Sequence, residues 1–459
     1  MLIPNSAASG IVWPALPRTR NATLLALLYQ FEQSQWWPAD RLERLQLGQL
    51  STLLSHACDY VPFYRERLAS LRGRGFRLDS VADLQQIPIL TREEVQENLQ
   101  NLTATTLPEN HMPLKEGRTS GSTGMPVTYR STRITGLLAV SLGLRSAIWH
   151  NQDFAYRKAS IQIGERIPGD TEEGERAAPA RGPSKAVFPG TPTAHFDSRI
   201  NVVEQLEWLQ RTDPDLLVTY PSNLAALTRE AAARGIRPPS LKHLCTQGEV
   251  VSAETRELCR EVWGLKIVDI YSCREINTIA LQCPENEHYH VQSERVIVEV
   301  LDESGRPCGP GEVGRVVITD PHNFIMPFIR YANGDHAEVG EPCSCGRQMP
   351  VLKRIMGRTR NMLVLPGGGS IWPAFGSNDL GQVAPIRQLQ AVQHSLTDIE
   401  LRVVPLRPLD AATEARVLAA AQARFDQIGP GIRLRLTCVD ALPRTKSGKY
   451  EDFVSLVSS

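Results

Sequence analysis

Short apolar strands alternate with helical segments through the middle of the chain, and this alternation constrains the fold more than any other feature. The runs at 216–220 and 265–271 read LLVTY and LKIVDIY. Between them lies an amphipathic helical pattern, with Ser252 as its predicted N-cap and Glu254 in its first turn. Strands and helices in alternation build a layered sheet. The sequence therefore predicts an α/β fold.

A second kind of pattern follows the alternating region. The β-rich runs RVIVEVL (295–301) and GRVVITD (314–320) flank DESGRPCGPGEV, whose glycines and prolines are typical of a turn. This pair predicts an antiparallel β unit. The later segments IELRVVPL, EARVLAAAQARF and IRLRLTCV have the patterns of a strand, a helix and a strand, which predicts a small α+β unit at the C-terminus.

The helical start and the run GRTRN (357–361) give the expected domain bounds. Apolar residues recur at helical spacing through LLALLYQF and RLQLGQLSTLLSHACDYV, and Pro62 ends the second run. We expect an N-terminal core over residues 1–358, with a helical start over 22–102. The C-terminal domain then takes residues 359–459.

Composition excludes several classes of protein. Of the 459 residues, 42% are hydrophobic and 22% are charged, as in an ordinary globular protein. The 50 basic residues balance the 50 acidic ones, which argues against nucleic-acid binding by bulk charge. No apolar run reaches the roughly 18 residues of a membrane span, and the N-terminus lacks the pattern of a secretory signal. Nine cysteines suit a reducing compartment. We expect a cytoplasmic protein with no nucleic-acid or membrane partner.

The segment TSGSTGMP (119–126) points most directly to a ligand. It contains two glycines and four hydroxyl residues. Glycine lets backbone N–H groups approach an anion closely, and hydroxyls add further donors. A polar surface turn is the alternative interpretation of such a cluster taken alone. No Gly-Lys-Ser/Thr follows, so this is not a Walker A loop. The segment predicts a polyphosphate site.

Six segments, in order along the chain, resemble the motifs of the adenylate-forming superfamily of acyl-CoA synthetases and adenylation domains. Besides TSGSTGMP they are TQGE (246–249), YSCRE (271–275), RYANGD (330–335), GRTRN (357–361) and PRTKSGK (443–449). SHACDYVPFYRERL (55–68) and PILTREEVQEN (88–98) are most similar to the phenylacetate–CoA ligase branch. The resemblance implies a large N-terminal α/β domain with layered sheets and a β unit, plus a small mobile C-terminal α+β domain.

The resemblance also implies a reaction. A carboxylate is a poor electrophile because its leaving group is an oxide, whereas the phosphate of an acyl-AMP leaves readily. Forming acyl-AMP from ATP requires charge stabilisation in line rather than a covalent residue. The expected function is ATP-dependent activation of a carboxylic acid, aromatic by resemblance, followed by transfer to a thiol with release of AMP and pyrophosphate. The acceptor is CoA, a carrier-protein phosphopantetheine or an amine, and these stay open. Relatives in this branch are often dimers, so a homodimer is one expected assembly.

Site residues are carried over from the motifs. Lys449 would bridge the acyl carboxylate and the α-phosphate, Glu275 would position Mg²⁺, and Asp335 would bind the ribose hydroxyls. The C-terminal domain would swing about Arg360. The other nucleotide contacts that the resemblance implies are Thr119, Ser120, Gly121, Ser122, Thr123, Gly124, Gly248, Glu249, Asp269, Tyr271, Ser272 and Arg358. The acid would lie against Tyr220, Gln247 and Cys273, with the region around Trp149 as a further wall.

The magnesium motif departs from the family pattern. Arg274 replaces the usual Thr or Ser and Ser272 replaces the usual Gly. A guanidinium at this position can make a charge-assisted phosphate contact or point away, and we favour the contact, with Arg274 as a catalytic residue. GGGSIWPAF (367–375) also departs, and this weakens the case for CoA as acceptor more than the case for adenylation. The alternatives are an adenylyltransferase, an amide-forming ligase that uses acyl-AMP directly, or a degenerate nucleotide-binding scaffold.

Two cysteine-containing segments predict a structural zinc site. Cys283 is followed by His288 and His290, and Cys343 by Cys345. Four such ligands complete a closed tetrahedral site with no open position for catalysis. Members of the phenylacetate–CoA ligase branch carry such a site. We expect Cys283, His290, Cys343 and Cys345 as ligands, with His288 competing for the histidine place. Ordinary thiols without a metal are the alternative interpretation.

Overall fold

The structure is a computed structural model. The part of the chain that it describes comprises residues 4–11, 13–73, 75–119, 126–163, 175–176, 187–188, 193–358, 362–367, 370–371, 380, 383–428, 431–442 and 453–457. In that part of the chain, no helix is both long and apolar enough to cross a lipid bilayer.

A large sheet forms the centre of the fold. Strands β1 (Lys115–Arg118) and β2 (Thr128–Ser131) form a separate hairpin ahead of it. The strands of the large sheet, in chain order, are β3 (Lys158–Ile161), β4 (Glu175–Arg176), β5 (Ala194–Phe196), β6 (Leu216–Thr219), β7 (His243–Gln247), β8 (Ile267–Cys273), β9 (Asn277–Gln282), β10 (Tyr289–Val291), β11 (Ile297–Leu301), β12 (Val313–Thr319), β13 (Tyr331–Val339) and β14 (Val351–Arg358). Among the described residues, these twelve strands lie in the order β11-β12-β13-β14-β10-β9-β8-β7-β6-β3-β5-β4.

The large sheet changes from parallel to antiparallel at β8, and its edge strand β4 also pairs antiparallel with β5. Strands β5, β3, β6, β7 and β8 pair in parallel, whereas β8 pairs antiparallel with β9. Helices connect β6 to β7 and β7 to β8, which makes those strands parallel. The later strands are joined by turns and pair antiparallel. The predicted α/β part and the predicted β unit are therefore two halves of one sheet.

Three helices cover one face of the parallel half. They span Val202–Thr212, Pro221–Arg234 and Ala253–Trp263. Leu217, Leu244 and Ile267 of the sheet pack with apolar residues of these helices in one buried cluster. Ser252 is the N-cap that the sequence predicts, because its hydroxyl accepts from the Thr255 N–H at 3.1 Å.

The N-terminal region is helical, as predicted. Its helices are Thr19–Ser34, Ala39–Tyr60, Pro62–Arg67, Ala69–Arg72 and Arg92–Glu97, with a 3₁₀ turn at Val81–Gln86. Pro62 ends one helix and begins the next, where its missing N–H costs nothing. The buried Tyr64 hydroxyl donates to the Pro327 carbonyl at 2.8 Å, which joins these helices to the antiparallel half of the sheet.

The C-terminal residues form the small α+β unit that the sequence predicts. Four strands lie in the order β19-β18-β17-β20 among the described residues, and one helix, Ala411–Ile428, packs on them. The strands are β17 (Ile386–Ser395), β18 (Asp398–Pro405), β19 (Arg433–Cys438) and β20 (Phe453–Ser455), and a short pair, β15 (Leu363–Val364) and β16 (Ser370–Ile371), precedes them. The domain boundary at residue 358 stays a prediction.

An ion pair lies buried beneath the antiparallel half. The Arg295 guanidinium donates to both Asp320 oxygens, and both side chains are fully buried. His322 sits beside them, with Nδ1 at 3.3 Å from the Arg295 carbonyl. Burial, followed by the Arg295 charge, lowers the pKa of His322 to about 4. This imidazole is therefore neutral in the folded protein at neutral pH.

The free energy of unfolding should fall as the pH drops from about 6.5, the pKa of an unfolded histidine, towards 4. A lowered folded pKa means that the unfolded chain binds the proton more tightly in this window, so acid favours unfolding. The contribution of His322 approaches about 1.4 kcal/mol per pH unit. Urea unfolding of the wild type and of His322→Gln at several pH values measures it. The variant should have the flatter profile, and two parallel profiles would contradict this origin.

Candidate functional site

The predicted acid-binding and nucleotide-binding residues cluster where the parallel strands end. Tyr220 directly follows β6, and Gly248 and Glu249 follow β7. Gly248 has φ +85°, a conformation that favours glycine, and the Glu249 carboxylate accepts from the Ser222 N–H at 2.9 Å. The carboxyl ends of parallel strands are where α/β sheets bind ligands. Gln247 and Cys273 are the last residues of β7 and β8, so the same edge of the sheet carries them.

The predicted phosphate-binding segment lies in the connection of the β1–β2 hairpin. Thr119 closes the base of that connection, because its N–H donates to the Val127 carbonyl and its hydroxyl accepts from the Val127 N–H, each at 2.9 Å. Ser120, Gly121, Ser122, Thr123 and Gly124 lie outside the described residues. The residues on either side of this segment belong to the antiparallel strands β1 and β2.

Glu275, the predicted magnesium residue, is a buried carboxylate that Tyr331 and Arg92 contact. It accepts from the Tyr331 hydroxyl at 3.0 Å and lies 3.5 Å from Nη1 of Arg92. Nη2 of the same Arg92 donates to the Thr119 hydroxyl at 3.1 Å. One guanidinium therefore links the carboxylate to the base of the predicted phosphate-binding segment.

Sequence reasoning missed Arg92 as a site residue. It is the first residue of the helix Arg92–Glu97, which Thr91 and Glu94 cap reciprocally. The Leu90 N–H donates to the Arg330 carbonyl at 2.9 Å, which fixes this segment beside β13. Its segment, PILTREEVQEN, gave a signal only through the family resemblance, because spacing alone cannot relate residues 92 and 275.

The predicted ribose-binding residues form one hydrogen-bonded group. The Tyr271 hydroxyl donates to Asp335 Oδ2 at 2.9 Å and accepts from the Asn333 amide at 3.0 Å. Asn333 also donates to Asp335 Oδ2 at 2.6 Å. Arg358 Nε lies 3.6 Å from Asp335 Oδ1, since β13 and β14 pair these two residues directly. Asn333 is a further residue that sequence reasoning did not single out.

Asp269 lies in a different environment from the other predicted nucleotide contacts. Its two carboxylate oxygens accept from the Thr246 hydroxyl at 2.5 Å and from the Tyr289 hydroxyl at 2.7 Å. Burial raises the pKa of Asp269, and these hydrogen bonds oppose the rise. The geometry favours a supporting role in joining β7, β8 and β10.

The residues around Glu275 occupy the turn between β8 and β9. Arg274 is exposed at this turn, and its charge acts on the Tyr129 hydroxyl of β2. The register of β8 and β9 shifts between Tyr271 and Ser272, a bulge of the kind found beside active sites. Burial and then the Glu275 charge raise the pKa of Cys273 well above its usual value, so this thiol stays protonated.

The predicted catalytic lysine and hinge lie outside the described residues. These are Lys449 and Arg360.

Three of the four predicted metal ligands, Cys283, His290 and Cys343, come together with His288 at β10, whereas Cys345 lies outside this mutually close set and approaches His290. Ligand atoms of Cys283, His288, His290 and Cys343 lie within 4.8 Å of one another. The Cys283 and Cys343 sulfurs are 3.8 Å apart, and Cys345 Sγ is 3.4 Å from His290 Nε2. Burial would raise the pKa of Cys283, but hydrogen bonds to His288 and His290 hold it well below its usual range.

This cysteine–histidine cluster has the dimensions of a tetrahedral metal site. Metal–sulfur bonds of about 2.3 Å and metal–nitrogen bonds of about 2.0 Å separate two sulfurs by roughly 3.8 Å and a sulfur from a nitrogen by roughly 3.5 Å. The observed separations of 3.8 and 3.4 Å match both values. The cluster could therefore bind a metal ion.

Trp149 lies beside this cluster. Its ring centroid is 5.9 Å from that of His290, and the Arg347 guanidinium lies 4.4 Å from the Trp149 ring centroid. The side chain is buried, so it belongs to the core that supports the cluster. Ile270 of β8, which pairs with Gln247, packs against the same buried cluster as Trp149. The expectation that the surroundings of Trp149 wall the acid pocket stays a prediction.

Comparisons with known proteins agree with the motifs. The AMP-binding enzyme family matches residues 184–326. The phenylacetate-coenzyme A ligase of Thermus thermophilus is 26% identical over 94% of this chain and 100% of its own length. That of Pseudomonas putida is 25% identical over 76% of this chain and 77% of its own length.

Solved structures share the fold. A 2-hydroxyisobutyryl-CoA ligase in the postadenylation state has a TM-score of 0.70 at 19% identity, covering 92% of this chain and 90% of that one. An anthranilate CoA ligase in complex with anthranoyl-AMP has a TM-score of 0.55 at 15% identity, covering 83% and 74%. The fold is that of adenylate-forming enzymes.

Residues 184–326 match the AMP-binding enzyme family, and the chain shares the fold of solved acyl-CoA ligases. Its curated homologues are phenylacetate-coenzyme A ligases, so the predicted resemblance to that branch is confirmed.

Proposed function

We propose that this protein is an AMP-forming acid–thiol ligase, which activates a carboxylic acid with ATP and transfers the acyl group to a thiol. One observation carries the proposal. Strands β8 and β13 hold a carboxylate suited to magnesium, Glu275, beside a hydroxyl-binding group centred on Asp335, and both strands supply tyrosines that hold these carboxylates. A nucleoside triphosphate with its magnesium ion requires a metal-binding carboxylate and a hydroxyl-binding group in one site.

The charged residues of the site would bind different parts of the nucleotide and its metal. Glu275 would hold Mg²⁺, whose charge with that of Arg92 offsets the charge of the polyphosphate at residues 119–124. Asp335 would accept from the ribose hydroxyls, with Arg358 beside it. Burial raises the pKa of Tyr271 and of Tyr331, so both hydroxyls remain donors to these carboxylates at neutral pH.

The second half of the reaction requires the lysine of the C-terminal domain to leave the site. We propose that residues 359–459 form the lid, that it turns about Arg360, and that Lys449 joins the acyl carboxylate to the α-phosphate in one orientation. The homologues named as phenylacetate-coenzyme A ligases support an aromatic acid and CoA as the acceptor. A carrier-protein thiol, a cytoplasmic location and a homodimer stay predictions.

Acyl-AMP formation should depend on Lys449. We expect pyrophosphate release from ATP with phenylacetate or another aryl acid, and a loss of about a hundredfold or more in Lys449→Ala, because an electrostatic stabiliser of the transition state is removed. Lys353→Ala, which removes an exposed lysine, should match the wild type.

The assay is pyrophosphate release with and without CoA, with the product identified by mass spectrometry. A thioester is expected with CoA. A stable AMP adduct on a polymer or cofactor would identify an adenylyltransferase, and an amide product would identify an amide-forming ligase. If no acid causes pyrophosphate release, the remaining interpretation is a nucleotide-binding scaffold. Full activity of Lys449→Ala would overturn the proposed mechanism.

Arg92 and Arg274 should each contribute to ATP binding or adenylation. Arg92→Met should raise the KM for ATP by about tenfold, since a buried cation beside Glu275 and Thr119 is lost. Arg274→Ala should raise the KM for ATP or lower the adenylation rate by about tenfold if the exposed guanidinium contacts phosphate. Arg44→Met, on an exposed surface pair, is the control. Unchanged kinetics in either variant would remove that residue from the site.

We propose further that the cysteine–histidine cluster binds structural zinc through Cys283, His290, Cys343 and Cys345. His290 Nε2 faces Cys345 Sγ, and its strand β10 is buried, which favours His290 over His288. Asn286 donates its amide to the Cys343 sulfur at 3.4 Å, a contact that stabilises thiolate charge. Four protein ligands would close the site, so zinc would support the fold.

Protein purified without a histidine tag should contain about one equivalent of zinc. Removing it with a chelator should lower the melting temperature, because the ion joins β9, β10 and the segment after β13. His290→Asn should lose the metal, whereas His288→Asn and the control Cys308→Ser should retain it. Metal analysis and thermal melts measure this, and a zinc content near zero in the wild type would refute the site.

A further inference from the structure

The two faces of the parallel half of the sheet differ in exposure. On the face towards the three helices, Leu217, Leu244 and Thr246 are completely or almost completely buried. On the opposite face, Val218 and Cys245 are only half-buried, although their strands lie in the interior of the sheet. Side chains that stay half-buried on interior strands border a space, and we call the strip of this second face over Val218, Cys245 and Gln247 the cleft.

The cleft begins at the carboxyl ends of the parallel strands, where the predicted acid-binding residues lie. Cys245 and Gln247 alternate with buried residues of β7, so both point to the cleft face. Ile270, which pairs with Gln247 across β7 and β8, shares that face but packs against a buried cluster that contains Trp149, so this cluster bounds the cleft on the β8 side. Gln247 is the residue proposed to contact the acid. The cleft therefore continues from the acid-binding edge towards the other end of the strands.

Lys158 lies at the far end of this face. It pairs with Leu216 of β6, and Leu216 pairs with His243 of β7, so Lys158 shares a row with His243. That row is four residues from Gln247 along β7, which at about 3.3 Å per residue is roughly 13 Å. The extended lysine side chain shortens this distance for its ammonium group.

Lys158 has no partner for its charge in the described part of the chain. Two other lysines are paired, Lys242 with Asp215 at 2.9 Å and Lys353 with Glu338 at 2.7 Å. Burial lowers the pKa of Lys158, and the titratable group that acts on its charge is the Cys245 thiol. A half-buried ammonium without an anion is costly to the fold, which is typical of a group kept for a ligand.

The wall beside Lys158 is polar. The Gln152 amide donates to the Cys245 sulfur at 3.3 Å, so this amide lies over the same face. An anion at this depth would meet a cation and an amide donor, whereas an unsubstituted aromatic ring would leave both without a partner.

We infer that Lys158 binds a second anionic group on the acid that the enzyme activates. The substrate class is then an aromatic acid with a carboxylate, or a comparable anion, on the side of the ring opposite the reacting carboxylate. This inference rests on the proposed function, because the cleft becomes an acid site only if acyl-AMP forms at the edge of the sheet. Lys158 would determine specificity and take no part in the chemistry.

Matched acids test the inference. Phenylacetate is compared with 4-carboxyphenylacetate, and benzoate with terephthalate, by pyrophosphate release from ATP. The wild type should favour each diacid. Lys158→Met should lose about tenfold to hundredfold in kcat/KM for the diacids and nothing for the monoacids. Lys158→Arg should retain part of the preference, and Lys242→Met, a lysine on the exposed surface, should retain all of it.

Two measurements independent of turnover complete the test. Calorimetry with terephthalate should give weaker binding to Lys158→Met than to the wild type. Without acid, Lys158→Met should melt at the same or a higher temperature, because a cation without a partner is removed, and this also shows that the variant folds. Equal handling of monoacid and diacid by the wild type and Lys158→Met would overturn the inference and leave the proposed function intact. If no acid releases pyrophosphate in the wild type, the proposed function fails, and calorimetry alone decides the role of Lys158.

Discussion

The hydrogen bonds between side chains of β8 and β13 are the contacts on which the site depends. Tyr331 holds Glu275 and Tyr271 holds Asp335, although three strands separate β8 from β13 in the sheet. A buried carboxylate without hydrogen-bond donors would become protonated or destabilise the fold. These two tyrosines therefore stabilise a pair of anions on strands that are not neighbours in the sheet, which is where the proposed nucleotide and its metal would bind.

The cysteine–histidine cluster belongs to a second set of contacts, which joins the N-terminal helices to the sheet. The Arg347 guanidinium lies over both Trp36 and Trp149, and its Nε donates to Gln35 at 2.9 Å. His290 packs edge-on against Trp149. A metal ion bound there would hold the segment that carries Arg347 in place, so its contribution would extend to the packing of the first helix.

Sequence motifs predicted the fold class, the Ser252 cap and the cysteine–histidine cluster, because each depends on residues close together in the chain. They did not single out Arg92 or Asn333, whose contacts join segments distant in the chain. The nucleotide contact of Asp269 stays a prediction, and Thr246 and Tyr289 are its hydrogen-bond partners in the structure. Periodicity also could not show that the α/β part and the β unit form one continuous sheet, since strand pairing is set by contacts distant in sequence.

Arg92 already has an anion and a hydroxyl as partners before any nucleotide arrives. An incoming phosphate would compete with Glu275 for the guanidinium, while Mg²⁺ would compete with the guanidinium for Glu275. If the metal and the triphosphate bind together, Mg²⁺ replaces Arg92 as the partner of Glu275, and a phosphate replaces Glu275 as the partner of Arg92. If only one of them binds, either Glu275 or Arg92 is left without a partner of opposite charge. Such an arrangement would make nucleotide and metal binding mutually dependent, and the charges of Arg92 and Glu275 balance each other before either ligand binds.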